Sequence, residues 1–156
     1  MARVTETRNG PARAPILVSA CLLGLHTRYD GGSCENARVL SVAGERCLVP
    51  LCPEQLGGLP TPRAPSEIEA GDGCAVLDGS ARVLNVEGRD VTPQFLAGAE
   101  AAAEAARRLG AEEVWLKEGS PSCGVTRIRR DGCDVAGKGV AAALLERAGL
   151  RLRGYE

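Results

Sequence analysis

Three cysteines of the chain, Cys21, Cys52 and Cys123, each follow a short apolar segment of the kind that forms a buried strand. The carboxyl ends of parallel strands meet at one edge of a sheet, where ligands bind, so the three thiols would converge there. A structural zinc site and a cubane iron–sulfur cluster normally take four protein ligands. Three thiolates therefore favour a metal centre with one open position, which is the arrangement that catalysis at a metal needs.

Two other interpretations of these cysteines stay open on the residues alone. Free cysteine is among the most buried residue types, so the three thiols could be unreactive parts of the core. A redox dithiol is the second alternative. The chain has seven cysteines, an odd number that cannot all pair within one molecule. In a reducing compartment, a cluster of thiols more often indicates a metal or catalysis than disulfides.

Acidic and hydroxyl side chains lie next to two of these cysteines. Glu54 follows Cys52 by two positions, and Ser120 and Ser122 shortly precede Cys123. A carboxyl and a hydroxyl beside a Lewis-acidic metal could move a proton and orient a substrate in a hydrolytic substitution. Each also has an ordinary explanation, since a lone Glu is usually solvated and serines are common in turns.

Composition and charge narrow the classes of function. A length of 156 residues suits one domain. The formal net charge of -1 argues against a protein that binds nucleic acid or membrane mainly through its overall charge. The aromatic content of 3% argues against a surface on which nucleic-acid bases stack. The start of the chain has arginines among small residues and no apolar run, which predicts a flexible tail over residues 1–14 rather than a secretory signal. We expect a cytoplasmic protein.

The elements that must position these residues alternate between strands and helices. Such alternation predicts parallel βαβ units and an α/β fold, with a mostly parallel sheet flanked by helices. The predicted strands are residues 16–20, 47–51, 114–117 and 150–153, and the predicted helices are residues 34–42, 93–109 and 139–148. Residues 74–77 and 81–85 predict a small hairpin, and the Pro- and Gly-rich residues 55–65 predict an ordered loop over the site.

Six short motifs occur in order along the chain. They are SACLLG at residues 19–24, RYDGG at 28–32, CPE at 52–54, LGGLPTPR at 56–63, GRDVT at 88–92 and SPSCG at 120–124. Together they resemble the thiouracil desulfurase family, and the resemblance spans about residues 15 to 153. It implies a single Rossmann-like domain, here residues 15–156.

The resemblance also implies a cofactor and a reaction. A [4Fe-4S] cluster would be held by Cys21, Cys52 and Cys123, leaving the fourth iron free to bind the sulfur of a thiolated pyrimidine. Water would then replace the sulfur without net redox change, and hydrogen sulfide would leave. The substrate would be a thiouracil or 4-thio-UMP, and the cluster would come from the iron–sulfur assembly machinery.

Residue roles follow from the same motifs. Glu54 matches the catalytic acid/base of the family, and Ser120 is our choice for its catalytic serine. Four further residues of the motifs are expected to contact substrate: Ser122, Tyr29, Asp30 and Arg63. For Tyr29, Asp30 and Arg63 the alternative is a role in holding the loops in shape. The remaining cysteines are expected to be packing or surface thiols whose replacement by Ser keeps the cluster: Cys34, Cys47, Cys74 and Cys133.

Two rival functions remain at this point. A non-catalytic iron–sulfur carrier or scaffold would use four protein ligands, so it would recruit one of the other cysteines. A desulfurase acting on thiolated tRNA would need a basic face that the sequence alone cannot locate.

Overall fold

The central sheet contains four parallel strands, which lie side by side in the order Leu48–Leu51, Ile16–Ser19, Glu113–Lys117 and Arg151–Tyr155. A computed structural model describes residues 13–156, so most of the predicted tail lies outside the described residues. The strands are β1 (Ile16–Ser19), β2 (Leu48–Leu51), β3 (Ser66–Ile68), β4 (Val83–Asn85), β5 (Glu113–Lys117), β6 (Arg127–Arg130), β7 (Cys133–Ala136) and β8 (Arg151–Tyr155). The helices are α1 (Ala37–Leu40), α2 (Pro53–Leu56), α3 (Gly73–Leu77), α4 (Thr92–Leu109) and α5 (Val140–Arg147), with a 3-10 turn at Ala20–Leu23.

Strand β1 lies at the centre of the sheet because it is apolar throughout and buried on both faces. Its register pairs Ile16 with Leu48 of β2 and with Glu113 of β5. All four strands run in the same direction, so their carboxyl ends form one edge. The predicted α/β fold with a parallel sheet is confirmed.

Helices cover both faces of this sheet. Successive side chains of a strand point to opposite faces, so Leu17 packs under α4 and α5 while Ile16 and Val18 face the other way. The second face is covered by the 3-10 turn and α1, through Leu22 and Val39. Within residues 13–156, no helix has both the length and the apolar character needed to cross a lipid bilayer.

The predicted hairpin at residues 74–85 is wrong. Residues 74–77 belong to helix α3, because the Asp72 side chain accepts a hydrogen bond from the backbone N–H of Cys74 and caps the helix. A run of four apolar residues fits a helix or a strand equally well, so periodicity could not decide. Strand β4 instead pairs antiparallel with β3, in a segment without a predicted strand.

The hairpin β6–β7 was not predicted from the sequence. Its turn contains Asp131 and Gly132, which have φ of 51° and 75°. An Asp-Gly pair with positive φ is the usual two-residue connection of a hairpin, so this signal was present in the sequence. The hairpin packs beside β3 through Ile128, and one side of it faces the cavity described below.

Candidate active site

A cavity of about 690 Å³ opens at the carboxyl edge of the parallel sheet. Its wall contains residues from the ends of β1, β2 and β5, as expected for a ligand site in an open α/β sheet. Seven of the nine predicted site residues line it: Cys21, Cys52, Cys123, Glu54, Ser120, Arg63 and Tyr29. Residues far apart in the chain therefore share one cavity.

The three cysteines enter this cavity from three different loops. Cys21 lies in the 3-10 turn directly after β1, and Cys52 is the residue between β2 and α2. Cys123 lies in the turn that connects β5 to the β6–β7 hairpin. The carbonyl of the neighbouring Ser122 accepts two N–H groups from the first turn of α5, which fixes this turn against the helix.

The three thiols influence one another electrostatically. Burial raises the pKa of Cys123 to about 12 and also raises the pKa of Cys52. A hydrogen bond with Cys34 and burial raise the pKa of Cys21, and negative charge on Cys123 or Cys52 raises it further. Without a cation between them, these thiols therefore stay protonated at neutral pH. A bound metal would reverse this preference, because thiolates are the ligand form and metal binding releases their protons.

The cavity contains the type of donor that binds an iron–sulfur cluster. Among residues 13–156, no three His, Cys, Asp or Glu side chains lie close enough together to bind one metal ion. Three soft thiols around one cavity match the ligand preference of iron–sulfur clusters.

Glu54 lies at the start of α2 and is paired with a buried arginine. The Arg63 side chain is only 5% exposed, and its Nη2 lies 3.3 Å from Oε2 of Glu54. Its Nε donates to the other carboxylate oxygen at 3.5 Å. The ion pair holds the carboxylate at the wall of the cavity. Glu54 follows Cys52 by two positions in the chain.

The hydroxyl of Ser120 is oriented by the turn in which it lies. Its Oγ accepts hydrogen bonds from the backbone N–H groups of Ser122 at 3.1 Å and of Cys123 at 3.0 Å. Because the oxygen accepts both bonds, the hydroxyl proton remains available to donate. Ser120 lines the cavity, so that donor can reach a bound molecule.

Two predicted substrate contacts lie outside the cavity lining. Ser122 is 1% exposed, and its Oγ has no hydrogen-bond partner among residues 13–156. Asp30 has a side chain that is 49% exposed and lies 3.5 Å from Nε of Arg28. Its Oδ1 also accepts the N–H of Gly32, which closes a turn. Tyr29 does line the cavity but is 41% exposed, so it lies near the mouth.

A buried carboxylate that sequence reasoning missed organises the Cys123 loop. Glu118 is 8% exposed and lines the cavity. Its two oxygens accept backbone N–H groups from Val125, Thr126 and Arg127, and also the Thr126 hydroxyl. Gly154 leaves the space for it, since a Cβ there would lie 2.1 Å from Oε1 of Glu118. The position of Glu118, at the end of a predicted buried strand, was the available signal.

Cys34 also lies closer to the site than the sequence suggested. Its backbone N–H donates to the carbonyl of Cys21 at 3.0 Å. A hydrogen bond from the Cys21 thiol lowers the pKa of Cys34 to about 6. Cys34 is half-buried in the core beside α1 and does not line the cavity. Cys47 and Cys133 are exposed, and all seven cysteines are free thiols.

Comparisons with known proteins find similar chains. The family model for 2-thiouracil desulfurase matches residues 16–155. A solved structure, the [4Fe-4S]-dependent thiouracil desulfidase TudS (DUF523Vcz), is 40% identical and superposes with a TM-score of 0.78. That alignment covers 91% of this chain and 91% of the other. The uncharacterized protein YbbK of Bacillus subtilis (strain 168) is 42% identical over 140 residues, which are 88% of this chain and 93% of YbbK.

The family match covers nearly the whole of the described chain, including all three loops that contribute cysteines to the cavity. The resemblance drawn from the six motifs is therefore confirmed. The chain belongs to the 2-thiouracil desulfurase family.

Proposed function

We propose that the protein is an enzyme that removes sulfur from a thiolated pyrimidine as hydrogen sulfide, without net redox change. In this proposal Cys21, Cys52 and Cys123 hold a [4Fe-4S] cluster and leave one iron open. The observation that supports it best is the convergence of three strand-end cysteines on a cavity that also contains a paired carboxylate and a hydroxyl donor.

The cluster, when bound, supplies a sulfur-seeking Lewis acid that polarises the thiocarbonyl bond. Cations in the cavity wall would offset part of the charge of the three thiolates. Arg63 donates to the Cys52 sulfur at 3.8 Å. Lys117 also lines the cavity, and its Nζ donates to the backbone carbonyl of Glu118 at 3.2 Å.

Glu54 and Ser120 supply the proton chemistry. The Glu54 carboxylate would accept a proton from the water that attacks the ring carbon, and would return it to the departing sulfur. The Ser120 hydroxyl, whose oxygen already accepts two N–H groups, would donate to a polar atom of the ring. In the net reaction a C=S bond is replaced by a C=O bond, water is consumed and hydrogen sulfide is released.

The charge of the cavity favours a neutral free base over a phosphorylated nucleotide. The lining contains five basic side chains (Arg28, Arg63, Lys117, Arg127, Arg129) and five carboxylates (Glu54, Glu67, Glu118, Asp134, Glu156). These charges balance, so the lining provides no net positive charge to attract a phosphate. We therefore propose a thiouracil as the preferred substrate and 4-thio-UMP as a poorer one. The same balance disfavours thiolated tRNA.

The cellular setting follows from the cofactor. A cluster with one open iron is exposed to oxidants, so we propose that the protein works in the reducing cytoplasm. It would receive its cluster from the iron–sulfur assembly machinery.

The experiment that tests the reaction class uses water labelled with ¹⁸O. Cluster-loaded protein is incubated anaerobically with 2-thiouracil, without an electron donor or acceptor. We expect uracil with one ¹⁸O atom and one sulfide per uracil. A requirement for an added reductant or oxidant would contradict the non-redox proposal. Replacing 2-thiouracil by 4-thiouracil or 4-thio-UMP then ranks the substrates, and a higher kcat/KM for 4-thio-UMP would overturn the charge argument.

A further inference from the structure

Arg63 occupies a position that suits an organising residue better than a substrate contact. Its side chain is 5% exposed, although it lines the cavity. Every nitrogen of its guanidinium already has a partner within the protein. Nη1 donates to the Pro60 carbonyl at 3.2 Å and to Oγ1 of Thr61 at 3.0 Å, and Nη2 donates to the Thr27 carbonyl at 2.9 Å. A substrate would have to displace these bonds to reach the charge.

The same guanidinium contacts two groups of the proposed chemistry. Nη2 lies 3.3 Å from Oε2 of Glu54 and 3.8 Å from the sulfur of Cys52. The backbone N–H of Arg63 also donates to the Tyr29 carbonyl at 2.8 Å, so the main chain is fixed as well. An arginine offers several donors in a rigid plane, whereas lysine offers one flexible point charge.

We propose that Arg63 is a positioning residue: it fixes the Glu54 carboxylate and the Cys52 sulfur relative to each other through one buried guanidinium. This inference rests on the proposed function, because it assigns Glu54 to proton transfer and Cys52 to cluster binding. Donors that hydrogen-bond to a metal ligand orient that ligand and tune the metal centre, and their loss typically costs about 10- to 100-fold in activity or metal affinity.

The first test is a double-mutant cycle with Arg63→Lys and Glu54→Gln. Arg63→Lys keeps the positive charge but cannot reach both Glu54 and the Thr27 carbonyl in the same geometry. We expect it to bind wild-type amounts of iron and sulfide, and to lower kcat by about 10- to 100-fold with little change in KM. In the double variant, kcat should be less than about threefold below that of Glu54→Gln alone, because Arg63 then has no carboxylate to position. A raised KM with unchanged kcat, or effects that multiply in the double variant, would overturn the proposal in favour of direct substrate binding.

The second test reads the contact with Cys52 independently of catalysis. The midpoint potential of the bound cluster is measured for the wild type, Arg63→Gln and Arg63→Lys. An N–H···S bond and a positive charge both stabilise the more reduced, more negative cluster. Arg63→Gln should therefore shift the potential downward, while Arg63→Lys stays closer to the wild type. An unchanged potential in Arg63→Gln would overturn this part. If Arg63→Gln binds no cluster, the Arg63→Lys variant decides. A midpoint potential of Arg63→Lys equal to that of the wild type supports a contact between the positive charge and Cys52. A midpoint potential of Arg63→Lys above that of the wild type contradicts the contact.

The matched control is Arg82→Lys. Arg82 forms a two-point pair with Glu69, with distances of 2.8 Å, on the surface outside the cavity. The Arg82→Lys variant should leave kcat and the midpoint potential of the cluster unchanged.

The two tests also separate the proposed role of Arg63 from the proposed function. If the wild type released no sulfide from any thiopyrimidine, the proposed function would fail, while the potential of Arg63→Gln would still decide whether Arg63 contacts a cluster ligand.

Discussion

The backbone of Gly98 in α4 touches the backbone of Pro53 in α2. A Cβ at Gly98 would lie 1.9 Å from the Pro53 carbonyl oxygen, and a Cβ at Gly57 would lie 1.9 Å from the Gln94 carbonyl oxygen. Two glycines facing each other thus let the helices approach to backbone contact. Helix α2 begins immediately after Cys52 and contains Glu54, so this approach sets where both side chains stand in the cavity.

Replacing Gly98 by Ala is expected to destabilise the protein, although Ala is the better helix former. The new methyl group meets backbone that cannot move away easily, and overpacking of this kind costs about 1–3 kcal/mol. Urea denaturation measures the free energy of unfolding. Glu100→Ala, at an exposed position of the same helix, is the control and should stay within about 0.5 kcal/mol of the wild type. A stabilised Gly98→Ala variant would contradict the backbone contact.

Replacing Glu118 by Ala is expected to loosen the loop that contains Cys123. The change removes the acceptor of three partly buried hydrogen bonds, which the backbone N–H groups of Val125, Thr126 and Arg127 donate. Hydrogen bonds to a charged group are worth about 1.5–3 kcal/mol each, so we expect a loss of at least about 2 kcal/mol. Iron bound per chain should fall as well, since Cys123 loses its support. Glu112→Ala is the exposed control, and equal stability of the two variants would refute the role of Glu118.

Single Cys→Ser variants should divide into two groups when bound iron is measured after anaerobic reconstitution. Replacements at Cys21, Cys52 and Cys123 should abolish or strongly reduce the cluster, because each removes one of the proposed ligands. Replacements at the other four positions should retain it: Cys34, Cys47, Cys74 and Cys133. Cluster loss in one of this second group would indicate a fourth protein ligand and favour the non-catalytic carrier.

Alkylation of Cys34 in metal-free protein should report its thiol pair. The Cys21 thiol lowers the pKa of Cys34 to about 6, so the reactive thiolate dominates at pH 7 and is lost as the pH falls through about 6. Iodoacetamide labelling followed by mass spectrometry should therefore rise between pH 5 and about 7 and then level off. Cys21→Ala removes the hydrogen-bond donor and should move the rise to higher pH. A Cys34 profile that rises only above pH 8 would exclude the pair.

The elements with strong local patterns were predictable from the sequence. Strand β1 is a continuous apolar run, and α4 combines a long helical pattern with Pro93 near its start and Gly110 at its end. The sequence also located the ends of β1, β2 and β5, and hence the shared edge where the cysteines meet. These features depend on residues that are neighbours in the chain.

Long-range contacts could not be predicted in the same way. The Arg63–Glu54 pair forms across the Pro-rich loop, and nothing in the spacing distinguishes a buried arginine from a substrate-binding one. Likewise, Cys34 looked like an isolated thiol because its bond to Cys21 depends on how the loop after β1 folds back. Helix α3 was missed because the Asp72 cap outweighed an ambiguous apolar run.

The most direct test of the central claim is sulfide release from 2-thiouracil by one preparation of protein, assayed anaerobically before and after its iron is removed by a chelator. The account predicts catalytic sulfide and uracil formation from the loaded protein, none from the stripped protein, and recovery when the cluster is rebuilt. Equal sulfide release with and without iron, or no release from loaded protein with an intact cluster, would contradict it.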